Sequence, residues 1–74
     1  MDVKLFGLIA EKAGTDVITL AAPSAFALKH ALEERIEGLA SLSYAIAVNQ
    51  RITREDVELN GTEEVALLPP FAGG

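Results

Sequence analysis

The sequence predicts an α+β fold, in which a mixed sheet of four to five strands carries one main helix on one face. Short apolar or β-branched segments lie on both sides of a single longer amphipathic segment. One amphipathic helix can cover only one face of such a sheet. The 74 residues suffice for one domain with one small core. Because the chain has no cysteine and one histidine, that core depends on apolar packing without disulfide or metal support.

The N-terminal part predicts two strands separated by a helical turn. Residues 3–8 alternate loosely between apolar and other side chains, as a strand does. Residues 9–13 are compatible with a single helical turn, which Gly14 would end. Residues 16–20 are rich in β-branched side chains and predict the second strand.

The main helix is expected to begin after Ser24, whose hydroxyl is a favourable N-cap. Leu28, Leu32 and Ile36 recur at helical spacing and form an apolar stripe. Gly38 supplies the stop signal. Lys29 also lies away from the stripe. Four other polar side chains are expected on a solvated face without a pocket, so acid–base catalysis is not expected from them: His30, Glu33, Glu34 and Glu37.

The C-terminal part predicts further strands. Residues 44–48 are typical of a buried strand, Ile52 of a short extended piece, and residues 57–59 of a brief strand or turn. The Asn60-Gly61 turn leads into a last strand over residues 63–68. The element order β-β-α-β-(β)-β predicts a β-grasp, or ubiquitin-like, roll. The apolar stripe of the helix would pack on Val3, Leu5, Ile18, Leu20, Ile46, Val48, Val65 and Leu67.

The face of the sheet without the helix is predicted to be apolar as well. By strand alternation, Phe6 and Leu68 point away from the core, and Ile52 could lie at the same edge. Small side chains would lie between them: Ala45, Ala47 and Ala66. Exposed apolar patches often mark partner sites, although scattered apolar residues are ordinary on protein surfaces. We therefore expect Phe6, Ile52 and Leu68 to form a docking patch.

The last six residues are expected to leave the domain of residues 1–68 as an extended tail, Pro69-Pro70-Phe71-Ala72-Gly73-Gly74. The two prolines have fixed φ and no N–H, so they leave the sheet stiffly. The two glycines lack Cβ and can enter a narrow slot. Six extended residues reach roughly 20 Å. This pattern favours a slender carboxylate delivered into another protein's active site, with a frayed chain end as the alternative.

Charge and hydropathy exclude some classes of partner. Eleven acidic and six basic residues give a net charge of −5, whereas nucleic acid binding favours clustered Lys and Arg. No apolar run approaches the roughly 20 residues that cross a bilayer, and no leader is apparent. We therefore expect a cytoplasmic protein without a nucleic acid or membrane partner.

Two blocks of the sequence resemble a known family, the small subunit of molybdopterin synthase, or MoaD-type sulfur carriers. In that family an acidic-Val-Ala strand runs into Pro-Pro and a Gly-Gly end, as residues 64–74 do here. Residues 47–50 match the family's Ala-Val-Asn-Gln block. Gly14-Thr15 before the second strand and the overall length also fit, so the resemblance covers essentially the whole chain.

The resemblance implies a chemical role for Gly74. A ubiquitin-activating-like enzyme would use ATP to adenylate its carboxylate, and a persulfide would convert it to a thiocarboxylate. The tail would then enter the large synthase subunit and donate sulfur to cyclic pyranopterin monophosphate. Gly73 would provide clearance, while Pro69, Pro70, Phe71 and Ala72 would direct insertion. The chain would bind no cofactor or metal itself, would have no independent active site, and would work in a hetero-oligomer, a heterotetramer in that family.

Two alternatives remain open. A carrier with the same fold could serve thiamin thiazole formation or the thiolation of transfer RNA, although the double proline favours the molybdopterin pathway. The chain could instead be a protein modifier attached to lysines through Gly74, or a plain interaction module.

Overall fold

The computed structural model describes residues 1–69. Most of the predicted tail (Pro70, Phe71, Ala72, Gly73 and Gly74) lies outside the described residues. The elements in chain order are β1 (Asp2–Leu5), α1 (Gly7–Ala13), β2 (Val17–Thr19), α2 (Ala25–Arg35), a 3₁₀ turn (Leu39–Ser41), β3 (Ala45–Val48), β4 (Arg51–Thr53) and β5 (Val65–Leu68).

The five strands form one mixed sheet in the order β2-β1-β5-β3-β4. The central pair, β1 and β5, is parallel, and all other pairs are antiparallel. The last strand of the chain therefore lies in the middle of the sheet, beside the first. This arrangement confirms the predicted α+β class and its β-grasp topology.

The main helix begins as its sequence predicts. Ser24 is extended, and its hydroxyl accepts a hydrogen bond of 3.2 Å from the Ala27 N–H. The helix ends at Arg35, and Gly38 follows with φ of 86°, a left-handed conformation that glycine adopts without strain. Ile36 lies just beyond the helix but remains buried, so the predicted stripe of Leu28, Leu32 and Ile36 is intact.

The first strand is shorter than predicted. The strand predicted for residues 3–8 ends at Leu5, because α1 begins at Gly7, which has φ of 55°. The predicted helical turn is thus a helix of seven residues. Gly14 ends it in a left-handed conformation, and its N–H donates to the Ala10 carbonyl at 2.9 Å. The predicted C-cap is confirmed.

The core lies between α2 and one face of the sheet. Most predicted members are buried, whereas Leu20 and Val48 are only partly buried at its margin. Three further side chains complete the core and were not predicted: Ile9, Leu39 and Leu59. They come from α1, the 3₁₀ turn and a loop, where short segments show no apolar period.

The segment 57–59, predicted as a brief strand or turn, pairs outside the sheet. The Ala25 N–H donates to the Val57 carbonyl at 2.8 Å, and the Leu59 N–H donates to the Pro23 carbonyl at 2.9 Å. An isolated bridge joins Ser24 and Glu58. The segment therefore holds the start of α2. Within residues 1–69, neither helix has the length and apolar character needed to cross a bilayer.

Candidate functional site

The face of the sheet opposite α2, called the open face here, is built from out-of-core positions of adjacent strands. Lys4 is paired with Ala66, Ala66 with Ala47, and Ala47 with Ile52, which gives one continuous row across β1, β5, β3 and β4. The core positions Val3 and Leu5, Val65 and Leu67, and Ile46 alternate with this row. Small alanines in the middle make the face shallow.

The three predicted docking residues lie at the open face. Ile52 is 57% exposed in the row above. Leu68 is opposite Ala45, one row further along, and is half-buried. Phe6 is two residues beyond Lys4, so it continues the same face beside Leu68, and it is 45% exposed. The geometry brings the set together, and its docking role stays a prediction.

One apolar side chain extends this surface beyond the prediction. Val17 in β2 is opposite Lys4 and is 41% exposed. Its position in a β-branched strand was visible in the sequence, but the strand's partner and register were not. The apolar surface therefore extends from β2 to β4, and the cation Lys4 lies within it, between Val17 and Ala66.

The start of the tail is held against the start of α1. Leu5 and Leu67 are partners in the parallel pair, so the chains continue side by side to Gly7 and Pro69. A Cβ on Gly7 would lie 3.3 Å from the Pro69 Cγ, closer than most such contacts allow. Gly7 also has φ of 55°. Two separate constraints thus favour glycine beside the exit of the tail.

The Ala-Val-Asn-Gln block covers the end of β3 and the turn after it. Asn49 and Gln50 have φ of 51° and 68°, and they join β3 to β4 as a two-residue hairpin loop. The Asn49 N–H donates to the Glu64 carbonyl at 2.7 Å, and the Glu64 N–H donates to Asn49 Oδ1 at 3.0 Å. The block therefore joins the hairpin to the residue before β5.

A second turn precedes β5. The Glu63 carboxylate accepts hydrogen bonds from the N–H groups of Asn60 at 2.8 Å and Gly61 at 3.0 Å. Asn60 Oδ1 in turn accepts from the Thr62 N–H at 3.0 Å. The backbone hydrogen bonds, that of Asn60 foremost, lower the pKa of Glu63. Both turns serve to position the strand that carries the tail.

The ionisable residues of α2 differ in their exposure and partners. His30 and Glu34 are exposed, with 3.2 Å between His30 Nε2 and Glu34 Oε1. The prediction that Glu33 is solvated was wrong, because Glu33 Oε2 accepts a 2.6 Å hydrogen bond from the half-buried Tyr44 hydroxyl. Burial, followed by this hydrogen bond, raises the pKa of Tyr44.

Comparisons with known proteins agree with the β-grasp fold. A sequence model described as the ThiS family matches residues 3–74. No curated protein matches the chain. Among solved structures, the proposed molybdopterin converting factor, subunit 1, from Pyrococcus furiosus is 26% identical, with a TM-score of 0.79 and 95% of each chain covered.

Two further similar structures are small archaeal modifier proteins. The solution structure of SAMP1 from Methanosarcina acetivorans is 25% identical, with a TM-score of 0.75, covering 99% of this chain and 94% of that one. The crystal structure of SAMP1 from Haloferax volcanii is 27% identical, with a TM-score of 0.64, covering 99% of this chain and 97% of that one.

Proposed function

Because the chain belongs to the ThiS family, we propose that it is the sulfur-donating small subunit of a molybdopterin synthase. The fold is that of ThiS- and MoaD-like sulfur carriers and ubiquitin-like modifiers. The observation that carries the proposal is the Gly-Gly end at residues 73–74, which follows a strand at the centre of the sheet. The likeness to a proposed molybdopterin converting factor supports this pathway.

The chemistry starts from a group that is unreactive at neutral pH. A terminal carboxyl group has an ordinary pKa of about 3.5. The carboxyl group of Gly74 is therefore an anion at neutral pH, and a carboxylate is a poor electrophile. Attack of this carboxylate on the α-phosphorus of ATP forms an acyl adenylate and releases pyrophosphate. A protein persulfide displaces AMP, and a thiol reduces the resulting disulfide to release the thiocarboxylate. In this proposal the partners supply the machinery for these steps.

The folded domain serves to bind the partners and present the tail to them. Phe6, Ile52 and Leu68 offer apolar area on the open face, next to the point where β5 ends. Pro69, the first residue of the tail, lies beside Gly7, which leaves room for it because glycine has no Cβ. We propose that the adenylating enzyme and the large synthase subunit use this face in turn. Binding at one shared face would ensure that activation and sulfur donation do not occur on the same complex.

Intact-mass analysis tests the first half of the proposal. The protein is incubated with its adenylating enzyme, ATP and a persulfide donor, and we expect the mass increase of one oxygen replaced by sulfur. Deletion of Gly74 should abolish the increase while cooperative unfolding is retained, because the tail contributes little to the core. If the deleted chain gains the same mass, sulfur is added elsewhere and the assignment to Gly74 is wrong.

Addition of the large subunit and cyclic pyranopterin monophosphate tests the pathway. We expect the thiocarboxylate to be consumed and molybdopterin to form. A stable thiocarboxylate in this mixture, combined with sulfur transfer to a thiazole precursor or transfer RNA, would assign the chain to another sulfur-transfer pathway.

The likeness to two SAMP1 structures favours one second candidate, a protein modifier. In that role a lysine amine would attack the Gly74 adenylate, displace AMP and form an isopeptide bond. Proteomic detection of Gly74 on lysines, without any thiocarboxylate on the free protein, would favour the modifier over the carrier.

A further inference from the structure

The outer edge of β4 offers backbone groups for another strand. Within residues 1–69, β4 pairs with β3 alone and is the last strand of the sheet. Val48 and Arg51 close the two-residue hairpin and form its first hydrogen-bonded pair. Ile52 is in the next, non-hydrogen-bonded pair, so its N–H and carbonyl point away from β3. These are the groups that an added strand would use.

A groove of about 480 Å³ lies beside this edge. One wall is β4 with the residues that follow it, the opposite wall is the first part of α2, and the floor is the start of β3. The lining residues that matter for binding are Phe26, Lys29, Tyr44, Ile52, Thr53 and Arg54. The groove therefore joins an unpaired strand edge to exposed side chains of a helix.

Hydrogen bonds hold the two walls together. The Phe26 N–H donates to Asp56 Oδ1 at 2.9 Å, and the Ala25 N–H donates to the Val57 carbonyl at 2.8 Å. Thr53 Oγ1 donates to the Glu55 carbonyl at 3.1 Å and so shapes the chain immediately after β4. Because the loop is attached to the helix, little ordering cost is expected when a ligand enters.

The chemistry of the groove favours an acidic ligand with apolar side chains. Phe26 is 54% and Ile52 57% exposed, which provides apolar area on both walls. Lys29 lies over the Tyr44 ring, with its Nζ 5.8 Å from the ring centroid. Arg54 lines the opposite wall, next to the carboxylate of Glu55. Two further carboxylates near the groove already accept hydrogen bonds within the domain, Asp56 from the Phe26 N–H and Glu33 from the Tyr44 hydroxyl.

The charge of this region differs from that of the whole chain. The net charge is −5, yet Lys29, Arg51 and Arg54, half of the six Lys and Arg residues, lie at the groove or on its edge strand. We propose that this groove and the β4 edge bind an extended, acidic segment of a partner protein, which adds to the sheet as a strand.

This site differs from the open face in its chemistry and in its means of contact. The open face offers a shallow apolar surface, whereas the β4 edge offers backbone hydrogen bonds and cations. Ile52 contributes to both, because its side chain is exposed at the open face and at the groove wall while its backbone lies on the edge. The proposal does not depend on sulfur transfer, and variants of Phe6 or Leu68 should leave binding at the edge unchanged.

The test uses the full-length ¹⁵N-labelled protein and a capped heptapeptide of alternating Glu and Val. We expect saturable binding with a dissociation constant below about 1 mM, and amide shifts concentrated at Ile52, Arg54 and Lys29. A matched peptide of alternating Lys and Val should bind at least about tenfold more weakly. Equal binding of the two peptides, shifts centred on Ala66 and Phe6, or no saturation at millimolar peptide would overturn the proposal.

Two sets of variants separate charge from strand pairing. The double variant Lys29→Glu/Arg54→Glu should weaken binding of the Glu-Val peptide about tenfold, since an exposed ion pair contributes little by itself and two are lost. Lys12→Glu is the control, because Lys12 Nζ lies beside Gly38, outside the groove. Equal loss in the double variant and the control would contradict the assigned cations.

Ile52→Pro removes the outward N–H, while Ile52→Val keeps it and shortens the side chain. Proline is tolerated on edge strands where its nitrogen faces solvent, so the fold should persist. We expect at least about fivefold weaker binding for Ile52→Pro than for Ile52→Val, as the loss of about one hydrogen bond implies. Equal affinities of these two variants would exclude strand addition at Ile52.

Discussion

Gly7 and Pro69 lie beside each other, Gly7 at the start of α1 and Pro69 directly after the last strand. A Cβ built on Gly7 would lie 3.3 Å from the Pro69 Cγ, which is closer than most Cβ contacts. The conformation of Gly7 is also left-handed, with φ of 55°. A residue far from Pro69 in sequence thus lies beside the first residue of the tail.

Gly7→Ala should therefore have two effects. A left-handed conformation costs a residue with a Cβ about 1–2 kcal/mol, so the free energy of unfolding should fall by that amount. The contact with Pro69 should in addition redirect the tail and slow sulfur transfer. Urea unfolding and single-turnover transfer from the thiocarboxylate measure the two effects.

Gly14→Ala is the matched control. Gly14 has φ of 74°, but no heavy atom lies within 4 Å of a Cβ built there. We expect a similar loss of stability with an unchanged rate of transfer. Equal transfer rates for the two variants would show that the Gly7 contact does not affect the tail.

Charge on the open face should disrupt partner binding. Leu68→Asp and Phe6→Asp place a carboxylate within a surface that loses water on binding, and we expect at least about tenfold weaker affinity for both partners. Phe6 is the residue before α1, where Asp is a favourable N-cap, so that variant should remain folded. Isothermal titration with each partner measures the effect.

His30→Asp provides the control for these variants. His30 is a surface residue of α2 with a 78% accessible side chain, and it belongs neither to the sheet nor to the groove beside β4. Its replacement should leave affinity for the adenylating enzyme and the large subunit within about twofold, the usual range for a surface change. Weakening as large as that of Leu68→Asp would argue against docking through the open face.

The β3–β4 loop contains strain that can be relieved. Gln50 has φ of 68°, a conformation that favours glycine, so Gln50→Gly should raise the free energy of unfolding by about 0.5–1 kcal/mol. Gln50→Ala retains a Cβ and should change stability little. Chemical denaturation compares the three proteins, and equal stability of the Gly and Ala variants would contradict strain at this position.

Tyr44 should make stability depend on alkaline pH. The pKa of Tyr44 is raised in the folded state, which means that the fold favours the neutral phenol. The stabilisation that the neutral phenol gives is complete below about pH 10, the ordinary pKa, and is lost as pH rises through the folded pKa. Tyr44→Phe should cost about 1–2 kcal/mol at neutral pH, through the lost hydrogen bond to Glu33.

The free energy of unfolding, measured from about pH 8 to 11.5, tests this pH dependence, because that range brackets an ordinary tyrosine pKa. The gap between the wild-type protein and Tyr44→Phe should narrow as pH rises above about 10. Parallel curves across the range would contradict the assigned role of the phenol.

Features that depend on a few neighbouring residues were predictable from the sequence. Ser24 and Gly14 end helices through contacts with the adjacent turn, and their roles were predicted correctly. The alternation of β1 and β5 correctly placed Phe6 and Leu68 opposite the core, because side-chain direction follows residue parity within a strand. The strand prediction failed for Gly7 and Leu8, because a helix starts at Gly7 inside an apparently alternating run, whereas Phe6 is still extended.

The sequence by itself determined the helix period, the cap residues and the two faces of each strand, since these follow from local sterics and hydrogen bonding. Only the tertiary structure decided which strands are neighbours, how Glu33 meets Tyr44, and that residues 57–59 support the start of α2. It also placed Pro69 against Gly7 and formed the groove beside β4. These contacts join residues far apart in the chain, so they depend on how the whole core packs.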